Sequence, residues 1–183
     1  MKRRRHRATQ LLVLVVLVNL ALFWGALRLV GWPLVNGRSS YTPVTDWPQL
    51  PAGLVLGQVT GIDVASQGQV FVFARGEKVW QTEAIDPTLI AAPTVYVFAG
   101  QTGELLSSWG KNRFVMPHGL TVDQEDSVWL TDVGLHQVFK FDRAGNLLLT
   151  LGEAGVPGSD AAHFNRPTDV AVAADGSFYV SDG

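Results

Sequence analysis

From Val59 onward, short apolar runs alternate with polar or glycine-bearing reversals. Val70 to Phe73, Thr94 to Phe98, Val128 to Thr131, Gln137 to Phe141, Leu147 to Leu151 and Phe178 to Ser181 are rich in β-branched, aromatic or other apolar side chains. Between them stand Gln67-Gly68, Gln101-Thr-Gly-Glu104, Asp142-Arg-Ala-Gly-Asn146 and Asp175-Gly176. Runs of this length, broken by residues that tolerate tight reversals, predict strands joined by turns. No stretch after residue 57 carries a convincing amphipathic helical period.

The alternation itself repeats. Met116 to Asp132 combine a Pro turn, an apolar run headed by His118, a polar reversal and a second apolar run ending in Asp. Arg166 to Asp182 follow the same plan, and Val59 to Ala74 follow it more loosely. With Ile62, Leu120 and Val170 in register, the separations are 58 and 50 residues. That is the period of a propeller blade rather than of a solenoid repeat. Gly119 to Val122, Val128 to Thr131, Gln137 to Phe141 and Leu147 to Leu151 would be the four strands of one blade. Residues 58–183 therefore predict an all-β, partial β-propeller of about two and a half blades. The pattern ends in mid-repeat at Ser181-Asp182-Gly183. Closed rings protect strand edges and an open array leaves them bare. The expectation is thus a fragment of a longer propeller, with assembly from several copies as the alternative.

A different pattern precedes residue 57. Residues 2–7 carry five Lys or Arg, and Leu11 to Leu27 then run seventeen residues without a charge. At about 1.5 Å per residue this run spans roughly 26 Å, a little short of a ~30 Å hydrocarbon core. Arg28 can snorkel, while Leu29 to Trp32 extend the apolar length. This predicts a basic cytoplasmic tail over 1–10 and one transmembrane signal anchor over 11–32. The rest of the chain would lie on the exported, periplasmic or extracellular side. A cleaved signal peptide is the alternative, but no Ala-x-Ala-like site follows Leu27. Pro33, Pro43, Pro48 and Pro51, with Gly37, Ser39 and Ser40, mark 33–57 as a linker. Trp47 and Leu50 near its end are candidates to pack onto the body.

Charge sharpens this division. Lys2, Arg3, Arg4, Arg5, Arg7, Arg28 and Arg38 are half of the 14 basic residues, and all 16 acids follow residue 45. So acidic a body would repel phosphate backbones, which excludes nucleic acid as the expected partner. The chain has no cysteine, so disulfides, thiolate metal sites and Cys nucleophiles are all ruled out. No Gly-x-Ser-x-Gly elbow or phosphate-binding loop occurs, and Asp123 to Ser127 lack the pattern of an EF-hand.

Several longer matches carry a resemblance. They are Leu56-Gly-Gln-Val-Thr-Gly61, Arg75-Gly-Glu-Lys-Val-Trp80, Gly110-Lys-Asn112, Pro117-His-Gly-Leu120 and Thr131-Asp-Val-Gly-Leu-His-Gln-Val-Phe-Lys140. Pro157-Gly-Ser-Asp160 and His163-Phe-Asn-Arg-Pro-Thr-Asp-Val-Ala-Val172 continue them. From about Trp47 onward the chain resembles the NHL-repeat six-bladed β-propellers, and within them the peptidyl-α-hydroxyglycine α-amidating lyase family. The resemblance implies cleavage of the C–N bond of a peptide-like substrate ending in α-hydroxyglycine, giving a peptide amide and glyoxylate. It also implies a catalytic Arg at Arg75 and a zinc held by three His, the first matching His118. A structural calcium, bound partly through backbone carbonyls, would match Ile62 and Leu120.

The residues are consistent with those roles. His118 heads an innermost strand, and zinc with three His ligands keeps one position open for a substrate oxygen or water. Arg75 could fix a carboxylate or stabilise developing negative charge. The family's catalytic Tyr would follow Gly183, and its other two zinc His belong to later blades, so this stretch would hold about one third of a site and be inactive alone. Where animal members have a Cys, this chain has Asn165. The reading from another functional class is a non-catalytic NHL propeller that binds a protein or glycan at the cell surface.

Other polar residues receive plainer expectations. Asp169 stands where Gly61 and Gly119 stand in the other repeats, which makes it a pocket candidate. Asp132 and Asp182 end equivalent strands and should accept hydrogen bonds from backbone amides. His136 should pin one strand to the next, and His163 should be a structural turn residue. Glu125 and Asp126 read as a solvated turn.

Overall fold

A computed structural model of the chain describes residues 42–80 and 84–183. The basic tail, the apolar segment 11–32 and the first part of the linker lie outside the described residues. Among the described residues no helix is long and apolar enough to cross a membrane. The compact unit relevant here runs from Val44 to Gly183.

Ten strands are described, with no helix among them. The first sheet is an antiparallel meander of β1 (Val59–Val64), β2 (Gln69–Ala74), β3 (Val95–Ala99) and β4 (Leu105–Trp109). A second four-stranded meander follows: β5 (Pro117–Val122), β6 (Val128–Asp132), β7 (Gln137–Phe141) and β8 (Leu147–Leu151). β9 (Asp169–Val172) and β10 (Phe178–Ser181) pair as a hairpin. The strands predicted from the apolar runs are present. β4 was not among them; its three central residues are exposed on the sheet's outer edge. Those central residues include Ser107 and Ser108, which suit a turn as well as a strand, whereas the equally exposed outer strand β8 keeps an apolar run.

The two faces of each sheet have different partners. Phe71, Phe73, Val95 and Val97 of the first sheet pack against Leu120, Val128, Leu130, Phe139 and Phe141 of the second. Phe114 sits among them, edge-on to Phe73 at 4.9 Å and to Phe139 at 5.5 Å. The opposite face of the first sheet, with Val72, Tyr96 and Phe98, is covered by Trp47, Leu54 and Leu56. Trp47 therefore packs as expected, whereas Leu50 is 43% exposed. Trp129 and Val138, on the far face of the second sheet, pack on Val170 of the hairpin, with Val172 and Val180 beside them. These are propeller-like sheets stacked face to face.

Stacking brings the first strands of successive repeats together. A Cβ on Gly61 would lie 2.6 Å from Leu120 Cβ, and one on Gly119 would lie 2.4 Å from the Thr168 carbonyl oxygen. Cross-links reinforce the approach: Val122 N–H donates to Asp63 at 2.8 Å, and Thr121 Oγ1 donates to the Val170 carbonyl at 2.7 Å. Gly119→Ala is expected to force β5 and β9 apart and to cost about 1–3 kcal/mol, as overpacking against fixed backbone does. A denaturant titration of the variant beside the unmodified protein measures it.

Asp126 is not merely a solvated turn residue, because Ser66 N–H and Oγ donate to it at 2.7 and 2.6 Å, and Arg143 Nη1 at 3.2 Å. It ties the β1–β2 turn to the β5–β6 turn.

Candidate functional site

Arg75 follows the last residue of β2, and His118 lies in β5, 43 positions later in the chain. The register of β5 shifts between Pro117 and Leu120, so His118 sits in an irregular step of an inner strand. Arg75 Nε donates to the Pro117 carbonyl at 3.0 Å, which places the guanidinium beside the residue preceding His118. Trp80 bridges the two. The Arg75 Cζ lies 5.1 Å from the centre of the Trp80 ring, and the His118 ring is edge-on to it at 6.1 Å.

His118 is half-buried, and its Nδ1 lies 2.9 Å from the Thr168 carbonyl oxygen. A carbonyl only accepts, so Nδ1 carries a proton, and in the neutral ring the lone pair is then on Nε2. That is the orientation by which a backbone carbonyl presents an imidazole to a metal. Among the described residues, however, no group of three or more His, Asp or Glu could hold a metal ion. His118 thus fits zinc as one donor of the right kind, while the described residues supply no complete set.

Ile62 and Leu120 occupy neighbouring inner strands, the Ile62 side chain 59% exposed and that of Leu120 buried. Their placement is close, since Gly61 abuts Leu120. Asp169 lies beside Gly119, where a Cβ would stand 3.0 Å from its Oδ1. It is exposed, and its Oδ1 accepts from the Val170 N–H at 2.9 Å.

The segment that carries His118 is held by Asp132. Its carboxylate accepts from the amides of Val115 (2.7 Å), Met116 (2.9 and 3.0 Å), Gly134 (2.8 Å) and Leu135 (2.9 Å). Burial pushes the Asp132 carboxyl up from its ordinary pKa, and the four amides pull against that rise. Burial likewise lowers Arg75, with the field of Asp132 opposing, but a guanidinium remains charged at neutral pH. Asp182 accepts from the Asn165 amide at 2.7 Å, matching Asp132 in kind.

The other two described histidines, His136 and His163, hold turns and loops together. Arg166 N–H donates to His136 Nδ1 at 3.1 Å, joining the β6–β7 turn to the approach to β9. Burial, then the charge of Arg166, lowers the His136 pKa. His163 lies 2.9 Å from Asp160, whose hydrogen bond raises its pKa. A cleft of about 870 Å³ lies between residues 53–55, 76–79 and 84–93. It touches Gly76 and Met116, the neighbours of Arg75 and Pro117, without including Arg75 or His118.

Residues 114–141 match the family described as NHL repeat. The chain is 40% identical over 150 residues to peptidyl-alpha-hydroxyglycine alpha-amidating lyase 2 of Drosophila melanogaster, covering 76% of this chain and 36% of that one. It is 41% identical to peptidyl-glycine alpha-amidating monooxygenase A of Xenopus laevis, over 76% of this chain and 16% of that one. This chain is a relative of the amidating lyases. A probable amidating lyase of Caenorhabditis elegans is 39% identical, over 70% of this chain and 39% of its own length. The chain thus spans little more than a third of the length of these two lyases.

Gln58, Trp80 and Thr168 were assigned no role from sequence, although each falls inside a matching stretch. Their roles are visible only once folding sets β1, β2, β5 and β9 side by side.

Proposed function

We propose that this chain forms the Arg75–His118 portion of a six-bladed propeller that cleaves the C–N bond of a peptidyl-α-hydroxyglycine. The observation that carries the reading is the Arg75 Nε bond to the Pro117 carbonyl at 3.0 Å, which sets a buried cation beside His118 in a relative of amidating lyases. In the reaction the carbinol O–H loses its proton, its oxygen becomes a carbonyl and the C–N bond breaks. The departing nitrogen takes a proton, so the products are a peptide amide and glyoxylate. Zinc in such a site would supply Lewis acidity toward the carbinol oxygen.

The candidate residues have distinct parts in this scheme. His118 presents Nε2 as one ligand because Thr168 holds Nδ1. Arg75 binds the substrate carboxylate or the negative charge that develops on reaction. The remaining zinc ligands and the catalytic Tyr lie outside the described residues. The carbonyls of Ile62 and Leu120 would contribute ligands to a structural calcium, and Asp169 borders the substrate channel. Residues 11–32 anchor the protein, with the propeller on the exported side.

Glyoxylate release from N-benzoyl-α-hydroxyglycine by the intact six-bladed protein tests this reading. The release should stop on chelation and return with added zinc. If no glyoxylate forms with zinc present, the lyase reading is wrong and the chain belongs to a propeller that only binds a surface partner.

A further inference from the structure

Arg75 is only 7% exposed, yet no acidic side chain lies within 4 Å of its nitrogens among the described residues. Buried charges are ordinarily paired. Its described direct contacts are neutral: the Pro117 carbonyl on Nε, the Gln58 side-chain oxygen on Nη1 at 2.7 Å and the Trp80 ring, while the Asp132 carboxylate acts on it only through its field, without a hydrogen bond. A guanidinium has five N–H donors. These two hydrogen bonds occupy Nε and one N–H of Nη1, and they leave the Nη2 edge without a hydrogen-bond partner among the described residues.

Gln58 is the residue that determines this arrangement. Its Oε1 also accepts from the Trp80 backbone N–H at 3.2 Å, and its backbone carbonyl accepts from the Arg75 N–H at 3.0 Å. Both partners of Oε1 are N–H groups, so the orientation of the side-chain amide follows without ambiguity. One residue therefore grips the main chain of Arg75, the head group of Arg75 and the main chain of Trp80. Its neutrality matters as much as its reach. A carboxylate here would pair with Arg75 and compete with any anion brought to it.

We infer that Gln58 is a positioning residue for Arg75, turning the guanidinium so that the Nη2 edge, which has no hydrogen-bond partner among the described residues, is presented to the carboxylate of the substrate. The inference rests on the lyase reading for the identity of that carboxylate, but the geometry can be tested without turnover. Gln58→Glu keeps both hydrogen bonds and adds a charge, whereas Gln58→Ala removes the grip.

The test follows the Arg75 Nε–H resonance of the intact protein during titration with glyoxylate, and in parallel KM and kcat for N-benzoyl-α-hydroxyglycine. The unmodified protein should show a saturable shift. Gln58→Ala should weaken glyoxylate binding and raise KM about tenfold, as loss of a charge-assisted hydrogen bond does. Gln58→Glu should weaken both at least as much while leaving the ligand-free Arg75 resonance near its original position. Equal glyoxylate affinity in the unmodified and Gln58→Glu proteins, or no shift at all in the unmodified protein, overturns the inference. If glyoxylate binding follows the predicted order while no turnover occurs, the positioning role stands and the lyase reading alone fails.

Discussion

Asp132→Ala is expected to lower the stability of the compact body by about 3–5 kcal/mol, the range for breaking a buried charged network. The reason is the number of donors left behind. Asp132 is fully buried and accepts from four backbone amides, those of Val115 and Met116 before β5 and of Gly134 and Leu135 after β6. Each buried N–H without a partner costs roughly 1–3 kcal/mol, and water entering the small cavity would offset only part of that. Asp132→Asn should be intermediate at best, since its NH2 would point a donor at donors. Urea unfolding followed by tryptophan fluorescence checks the order. A loss below about 1 kcal/mol for Asp132→Ala would mean that the amides find other acceptors.

His118→Ala should behave in the opposite way, with little effect on stability and a large effect on chemistry. The His118 side chain is half-buried, and its one described hydrogen bond is Nδ1 to the Thr168 carbonyl. Removing it should cost about 1 kcal/mol of stability. Under the proposed function the same change deletes a direct metal ligand, and even orienting residues behind such ligands are worth 10–100-fold in affinity or activity. Glyoxylate release should therefore fall by at least about 100-fold. The separation of the two readouts is what distinguishes a ligand from a packing residue. A variant that loses both together would point to a structural histidine instead.

Much of the fold could be read from the chain because the middle strands of the two four-stranded sheets are buried on both faces. Val70 to Phe73 and Val128 to Thr131 have to be apolar or hydrogen-bonded throughout, and they are. The outer strand Leu105–Trp109 escaped because its exposed centre carries Ser107 and Ser108, which fit a turn as well as a strand. The amide-accepting role of Asp132 followed from its place at the end of a repeated strand.

Asp126 was misjudged, since its partners Ser66 and Arg143 lie in different turns and meet it only after the sheets stack. The site divided in the same way. Arg75 and His118 stood in distinctive local motifs, but nothing in Leu56-Gly-Gln-Val-Thr-Gly61 suggested that Gln58 reaches Arg75. That contact depends on the antiparallel return of β2 along β1, which pairs Val59 with Ala74. Glycine at 61 and 119 was visible as a repeated position, whereas its cause, the close approach of the inner strands, arises only when the sheets stack.

The central claim is that His118 is a metal ligand in a lyase site shared with Arg75. Zinc content measured on the intact protein and on His118→Ala, after both have been stripped and dialysed against the same zinc buffer, tests it most directly. The account predicts about one channel zinc per molecule in the unmodified protein and its loss in His118→Ala, with folding intact. Equal zinc in the two proteins, or none in either, would contradict it.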